Sequence, residues 1–140
     1  MVTEADLARV LDSAGDGVIV ADPEEHIIYW NAAATRIFGF TREQALTSKL
    51  TLIVPERLRT RHSAGFHKTM ETGITRYGAQ VLRVPATHKD GRKLSIAFTV
   101  TLLFTPSHQV QAIAAIVRDE TGRWTEEQQL RRRVRELEAR

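Results

Sequence analysis

A chain of 140 residues with 42% hydrophobic and 26% charged side chains has the size and composition of one globular domain with a substantial core. The formal net charge of +3 comes largely from residues 123–140, where six arginines are interleaved with four glutamates, which excludes the continuous basic face of a nucleic-acid binder. Cysteine is absent, which excludes disulfides, cysteine-zinc sites and cysteine-adduct photochemistry, and no apolar run approaches the roughly 20 residues that span a bilayer.

The first half of the chain predicts a helix, a hairpin and several short helices. Residues 1–14 carry apolar side chains at helical spacing, which predicts an amphipathic N-terminal cap helix. They lack the basic-then-apolar layout of a signal peptide, so we expect a cytoplasmic protein. The β-type runs at 18–21 and 27–30 flank the polar turn "DPEEH", which predicts a hairpin, and residues 31–60 predict small helices rather than one long helix.

The second half predicts one helix followed by three strands. The helix covers residues 56–72 and ends at Gly73, a typical helix stop. The strands are "AQVLRVPAT", whose proline indicates a sheet edge, then "LSIAFTVTLLF" after the Asp90-Gly91 turn, and finally "VQAIAAIVRD". Five strands with segregated helices predict an α+β fold, in which an antiparallel sheet carries the helices on one face.

Residues 122–140 are predicted to form a separate helix. Leu130, Val134 and Leu137 repeat at the 4-then-3 spacing of a coiled-coil seam, and Trp124 is a candidate anchor for the start of the helix. A solvated surface helix is the alternative. We favour a dimeric signalling helix that leads to an effector domain absent from this chain.

Several motifs together resemble a PAS sensor domain. They are "GVIVAD…IIYWNAAATRIFGFTREQAL", "HKDGRK" and "AAIVRDET", which include Asn31 after the second strand and a Gly-aromatic pair at Gly39 and Phe40. The resemblance covers about residues 5–122. It implies a five-stranded PAS sheet at 15–121 whose inner face and long helix enclose a ligand pocket. It also implies signal relay through Asp119, Thr121 and Trp124.

His62 is the candidate metal ligand. On a helix it shares a face with Leu58 and Phe66, four residues to either side. The string "PERLRTRH" resembles the helix of bacterial haem-PAS oxygen sensors, in which a histidine at this place ligates iron. The resemblance implies haem bound at His62 for gas or redox sensing. The implied cofactor-binding residues are His62, Leu58, Phe66, Met70, Tyr77, Gln80, Leu82, Ile96, Phe98 and Val100.

The distal side departs from those sensors. Their oxygen-stabilising arginine falls at Leu82, with Arg83 adjacent but on the other face of the strand by alternation. Gln80 falls where one redox-sensing relative has a methionine ligand, and Arg76 where another has a mobile histidine. The sequence therefore leaves the gas preference open.

Two other functions remain open. One is a haem-free PAS module for homodimerisation through its terminal helices and for signal relay, with a small organic ligand or nothing in the pocket and His62 as a packing residue. The other is a redox flavin. We expect no enzymatic activity, because the chain lacks a nucleophile elbow, a phosphate-binding loop and a convincing carboxylate pair. His26, His67, His88 and His108 are predicted to be surface residues.

Overall fold

The computed structural model describes residues 1–75 and 79–140. The helices are α1 (Glu4–Ser13), α2 (Ala32–Phe38), α3 (Arg42–Leu46), α4 (Arg59–Thr72) and α5 (Thr121–Glu138), with short 3-10 turns at Leu50–Ile53 and Glu56–Leu58. The strands are β1 (Gly17–Ala21), β2 (Ile27–Trp30), β3 (Leu82–Thr87), β4 (Lys93–Phe104) and β5 (Val110–Asp119). In the described part of the chain, no helix combines the length and the apolar character that crossing a bilayer requires.

The strands form one antiparallel sheet in the order β2-β1-β5-β4-β3. This confirms the predicted α+β fold. Pro85 lies on β3, at the edge of the sheet, where a residue without an N–H group removes no ladder hydrogen bond from a central strand. Gly73 ends α4 in a left-handed conformation with φ of 67°, as its position after the helical stripe predicts.

The core lies between one face of the sheet and the short helices. Its largest fully buried side chains are Trp30, Phe38, Ile19 and Ile27. The rings of Trp30 and Phe38 lie 5.6 Å apart, and the Trp30 indole N–H donates to the Thr35 hydroxyl at 3.0 Å, so this buried indole keeps a polar partner.

Asn31 joins three elements through one buried side chain. Its Oδ1 accepts from the backbone N–H groups of Ala34, at the start of α2, and of Val18, on β1, at 3.0 and 2.9 Å. Its Nδ2 donates to the carbonyl oxygens of Leu11, on α1, and of Asp16 at 2.8 and 3.1 Å. The side chain thus caps α2 and also fixes the start of the sheet and the end of α1.

The prediction that His88 is a surface residue is wrong. Its side chain is only 14% exposed and lies on Gly39, the left-handed residue that ends α2. A Cβ atom built on Gly39 would lie 2.5 Å from Cε1 of the imidazole. The ring therefore occupies space that only glycine leaves free, and the Lys89 N–H donates to the Phe38 carbonyl beside it at 2.8 Å. His67, by contrast, is exposed as predicted.

α1 is held to the rest of the domain mainly by polar contacts. The Tyr29 hydroxyl on β2 donates to Asp12, and the Arg42 guanidinium lies 3.7 Å from the same carboxylate and 5.3 Å from the centre of the Tyr29 ring. Burial and the neighbouring Asp12 raise the pKa of Tyr29 to about 12, so the phenol remains a donor at neutral pH. No residue of α1 is buried.

Candidate functional site

α4 carries the candidate ligand His62 in its first turns. The helix packs chiefly on the two 3-10 turns that precede it. The rings of His62 and Phe66, one helical turn apart, are roughly parallel, with centroids 6.3 Å apart and an interplanar angle of 27°. Phe66 is buried, whereas the His62 side chain is 35% exposed. Of the predicted apolar face, the Phe66 ring therefore lies beside this histidine.

Glu25 is a buried acid that lies against this helix. It belongs to the β1–β2 turn and is 3% exposed, with a left-handed φ of 71° that is uncommon for a non-glycine residue. Two backbone hydrogen bonds hold it: its N–H donates to the Asp22 carbonyl, and its carbonyl accepts from the Leu50 N–H, both at 3.0 Å. The backbone of Glu25 is therefore fixed in position.

The Glu25 carboxylate faces the His62 imidazole. Oε1 lies 3.8 Å from Nδ1, and neither buried atom has a hydrogen-bond partner among the described residues. The other oxygen, Oε2, accepts from the Ser63 hydroxyl at 3.1 Å. A separation of 3.8 Å is too long for a hydrogen bond but close enough for electrostatic attraction. A small movement of the ring would let Nδ1–H donate to Oε1 and satisfy both atoms.

The environment of His62 favours the neutral imidazole. Burial lowers its pKa below the usual value, while the negative charge of Glu25 acts in the opposite direction. A hydrogen bond from Nδ1–H to Oε1 would place the proton of the neutral imidazole on Nδ1 and leave a lone pair on Nε2. This is the arrangement typical of metal-ligating histidines.

A partly covered apolar surface lies on the inner face of the sheet. Leu94 and Ile96 are buried near the start of β4, but further along the strand Phe98 and Val100 are only half-buried. Leu82 on β3 is also half-buried and pairs with Phe98 in the sheet register. The short helices therefore cover one end of this face well and leave apolar side chains accessible at the other.

The other predicted pocket residues are more dispersed. Leu58 is half-buried where α4 begins, and Gln80 is exposed just before β3. Met70 lines an open groove of about 260 Å³, and His62 is not among the residues that line it. Tyr77, and Arg76 on the distal side, lie outside the described residues. The structure thus joins His62 with Phe66, and Leu82 with Phe98, but does not gather the whole predicted set around one cavity.

No group of three or more histidine, aspartate or glutamate side chains among residues 1–75 and 79–140 could hold a metal ion. A prosthetic group that brings its own equatorial ligands, as haem does, needs only one axial imidazole.

Two of the three predicted relay residues, Asp119 and Thr121, contact each other where β5 passes into α5. Asp119 accepts from the backbone N–H of Thr121 at 2.9 Å and also from its hydroxyl. The Thr121 hydroxyl in turn accepts from the Ser95 N–H on β4 at 3.0 Å. The Trp124 side chain is half-exposed, and its backbone N–H donates to the Glu120 carbonyl.

Comparison with known proteins identifies the fold family. The family model described as PAS fold matches residues 5–120. The chain belongs to the PAS family. The solved PAS domain of a Colwellia psychrerythraea protein superposes with a TM-score of 0.73 at 21% identity, covering 84% of this chain and 97% of that one.

Two curated proteins contain a region similar to this PAS domain. An uncharacterized protein of Azorhizobium caulinodans is 33% identical over 136 residues, which cover 94% of this chain. The oxygen sensor protein DosP of Escherichia coli is 22% identical over 118 residues, or 84% of this chain. The matches span only 18% and 14% of the lengths of these relatives.

Proposed function

We propose that this PAS domain is the sensory input of a bacterial-type cytoplasmic signalling protein and that it binds haem through His62. The observation that carries the proposal is the buried Nδ1 of His62, which faces the buried Oε1 of Glu25 at 3.8 Å, an oxygen with no hydrogen-bond partner in the part of the chain that the structure describes. The similarity to DosP, which is named an oxygen sensor, supports the same conclusion. In this proposal the chain senses and relays a signal, and it does not catalyse a reaction itself.

The donor chemistry of His62 and its stacked neighbour Phe66 support haem as the ligand. His62 supplies a neutral imidazole, and Glu25 is placed to accept Nδ1–H and so to fix Nε2 as the ligand atom. Phe66 on α4 and the half-buried Phe98 and Val100 supply apolar contacts for a porphyrin. When bound, haem would supply reversible gas binding or a change of iron oxidation state.

The distal side favours no particular diatomic ligand. Leu82, at the position that the haem-PAS resemblance gives to the distal arginine, offers no hydrogen-bond donor. The neighbouring Arg83 is engaged with Glu120 on the opposite face of the sheet, with Nε 3.3 Å from Oε2. A bound gas would therefore meet an apolar wall at this position, and the physiological signal is either a gas or a redox change.

Titration with haem tests the proposal directly. We expect the purified chain to take up one equivalent of haem and to develop a Soret band that saturates at that ratio. Serum albumin is the positive control for haem binding, and lysozyme is the control for haem that associates with a protein non-specifically. A colourless protein that takes up no haem, or one that purifies with a flavin spectrum instead, would contradict the proposal.

We further propose that the domain acts as a homodimer that passes its signal along α5 to an effector domain. Two helices expose apolar side chains to solvent. On α1 these are Leu7, Val10 and Leu11, each at least 44% exposed, and on α5 they are Leu130, Val134 and Leu137, each at least 50% exposed. Amphipathic helices normally bury such stripes, and twofold symmetry would pair each stripe with its own copy. The same observation supports the haem-free alternative, a PAS module for dimerisation and relay.

Removal of α5 tests the contribution of its seam. We expect the 140-residue chain to sediment as a dimer and a chain ending at residue 122 to shift toward the monomer, because the Leu130–Val134–Leu137 stripe is lost. Leu130→Glu with Val134→Glu in the full-length chain should weaken the dimer in the same way. Identical monomeric sedimentation of the full-length and shortened chains would contradict a role for this stripe.

A further inference from the structure

The start of α5 is attached to β4 by the backbone N–H and C=O groups of Ser95. The Ser95 N–H on β4 donates to the Thr121 hydroxyl, and the Ser95 carbonyl accepts from the Glu120 N–H at 2.8 Å. Glu120 occupies the N-cap position without a side-chain capping bond to the helix. Contacts with the sheet, together with the Asp119 side chain that accepts from the Thr121 N–H, therefore fix where α5 begins.

The Glu120 side chain lies between two arginines from different elements. It is only 17% exposed. Its Oε2 lies 3.3 Å from Nε of Arg83 on β3, and its Oε1 lies 4.0 Å from Nη1 of Arg123 on α5. These contacts join the edge strand β3 to the first turn of α5, although β4 separates β3 from β5.

The register of the sheet explains how Arg83 reaches across β4. Arg83 pairs with Ala97 on β4, and Ala97 pairs with Arg118 on β5. Side chains at paired positions share one face of a sheet. The small Ala97 side chain leaves a path over β4 that a larger residue would obstruct.

Arg83 also directly follows a residue of the candidate pocket wall. Leu82 pairs with Phe98, a half-buried residue of the inner face. Consecutive strand residues point to opposite faces, so Arg83 lies on the outer face. Because Arg83 is bonded to Leu82, a displacement of β3 at Leu82 also displaces Arg83.

We infer that the Arg83–Glu120–Arg123 ion-pair network couples β3, a wall of the candidate pocket, to the start of the signalling helix. Arg83 and Glu120 act as positioning residues that set the attachment of α5. The inference rests on the proposed function, because that function supplies the ligand that moves β3. The ligand can move β3 only if it binds one position of the strand more tightly than another. The network itself is present without a ligand, so it can be tested separately.

Amide hydrogen exchange at residues 124–130 of the full-length chain measures this coupling. The variants are Arg83→Gln, Glu120→Gln and the double substitution. Arg92→Gln is the matched control, because this exposed arginine pairs with Asp90 in the β3–β4 turn, away from α5. In the haem-free chain we expect each single variant to accelerate exchange about two- to five-fold, the range for a partly exposed ion pair. The double variant should exchange no faster than the single variants, and Arg92→Gln should match the wild type.

Haem loading separates failure of this inference from failure of the proposed function. If wild type takes up haem, we expect haem binding to alter amide exchange at residues 124–130. The Arg83 and Glu120 variants should bind haem as well as wild type does, but should lose most of this change in exchange. Variants that retain the full change would overturn the inference and leave the proposed function standing. If wild type takes up no haem, the proposed function fails, and the haem-free exchange decides alone: non-additive effects support the coupling, and additive or absent effects overturn it.

Discussion

Replacing His62 with alanine is expected to weaken haem binding by more than about 100-fold, because the loss of an axial ligand should exceed the 10- to 100-fold typical of an outer-shell partner. At equimolar haem the Soret band of the wild-type complex would be absent, and the spectrum would resemble that of free haem. His67→Ala is the matched control, since this histidine lies five residues further along α4 and is exposed. It should leave the titration unchanged.

A second substitution separates ligation by His62 from a general effect on α4. Glu25→Gln keeps the size of the side chain but removes the charge that faces Nδ1 of His62. We expect it to weaken haem binding about 10-fold, the lower end of the range for residues that orient a metal-ligating histidine. Equal haem binding by wild type, His62→Ala and Glu25→Gln would show that the imidazole is a packing residue.

Asn31→Ala should cause a large loss of stability. It leaves two buried N–H groups and two partly buried carbonyl groups without their partners. Each such group costs about 1–3 kcal/mol, and relaxation or water entry reduces the total, so we expect the free energy of unfolding to fall by about 3–5 kcal/mol. Urea unfolding followed by circular dichroism measures this change.

Thr41→Ala provides the comparison for Asn31. Thr41 caps α3 by accepting from the Gln44 N–H at 3.1 Å, but its side chain is exposed and serves only that helix. Its loss should cost about 1 kcal/mol, as is typical of a helix cap. If Asn31→Ala cost no more than Thr41→Ala, the contacts of Asn31 with α1 and β1 would contribute nothing to stability.

Regular patterns made most of the fold predictable from the sequence. The alternation in "LSIAFTVTLLF", the turn at Asp90-Gly91 and the stop at Gly73 depend on local backbone preferences, and the structure has each of them. Pro85 indicated an edge strand, because the missing N–H group is tolerated there. The motifs around Asn31, Gly39 and Asp119 carried the family resemblance.

The burial of isolated polar residues was not predictable, since it depends on contacts distant in the chain. Glu25 lies in the polar turn "DPEEH", and only the approach of α4 and of Leu50 makes it a buried partner of His62. His88 is covered because Gly39, about fifty positions earlier, lacks a side chain. The Arg83–Glu120 contact likewise requires the register across β4. In each case the residue type gave no local signal, and the partner came from another element.

The two edges of the sheet also restrict how this protein can aggregate or assemble. On β3, Pro85 interrupts the row of N–H groups that an incoming strand would need. On the opposite side, β2 is only four residues long, and the chain just before it is occupied by the bridge between His26 and Lys49. Growth of the sheet by addition of strands from other molecules is therefore disfavoured at both ends.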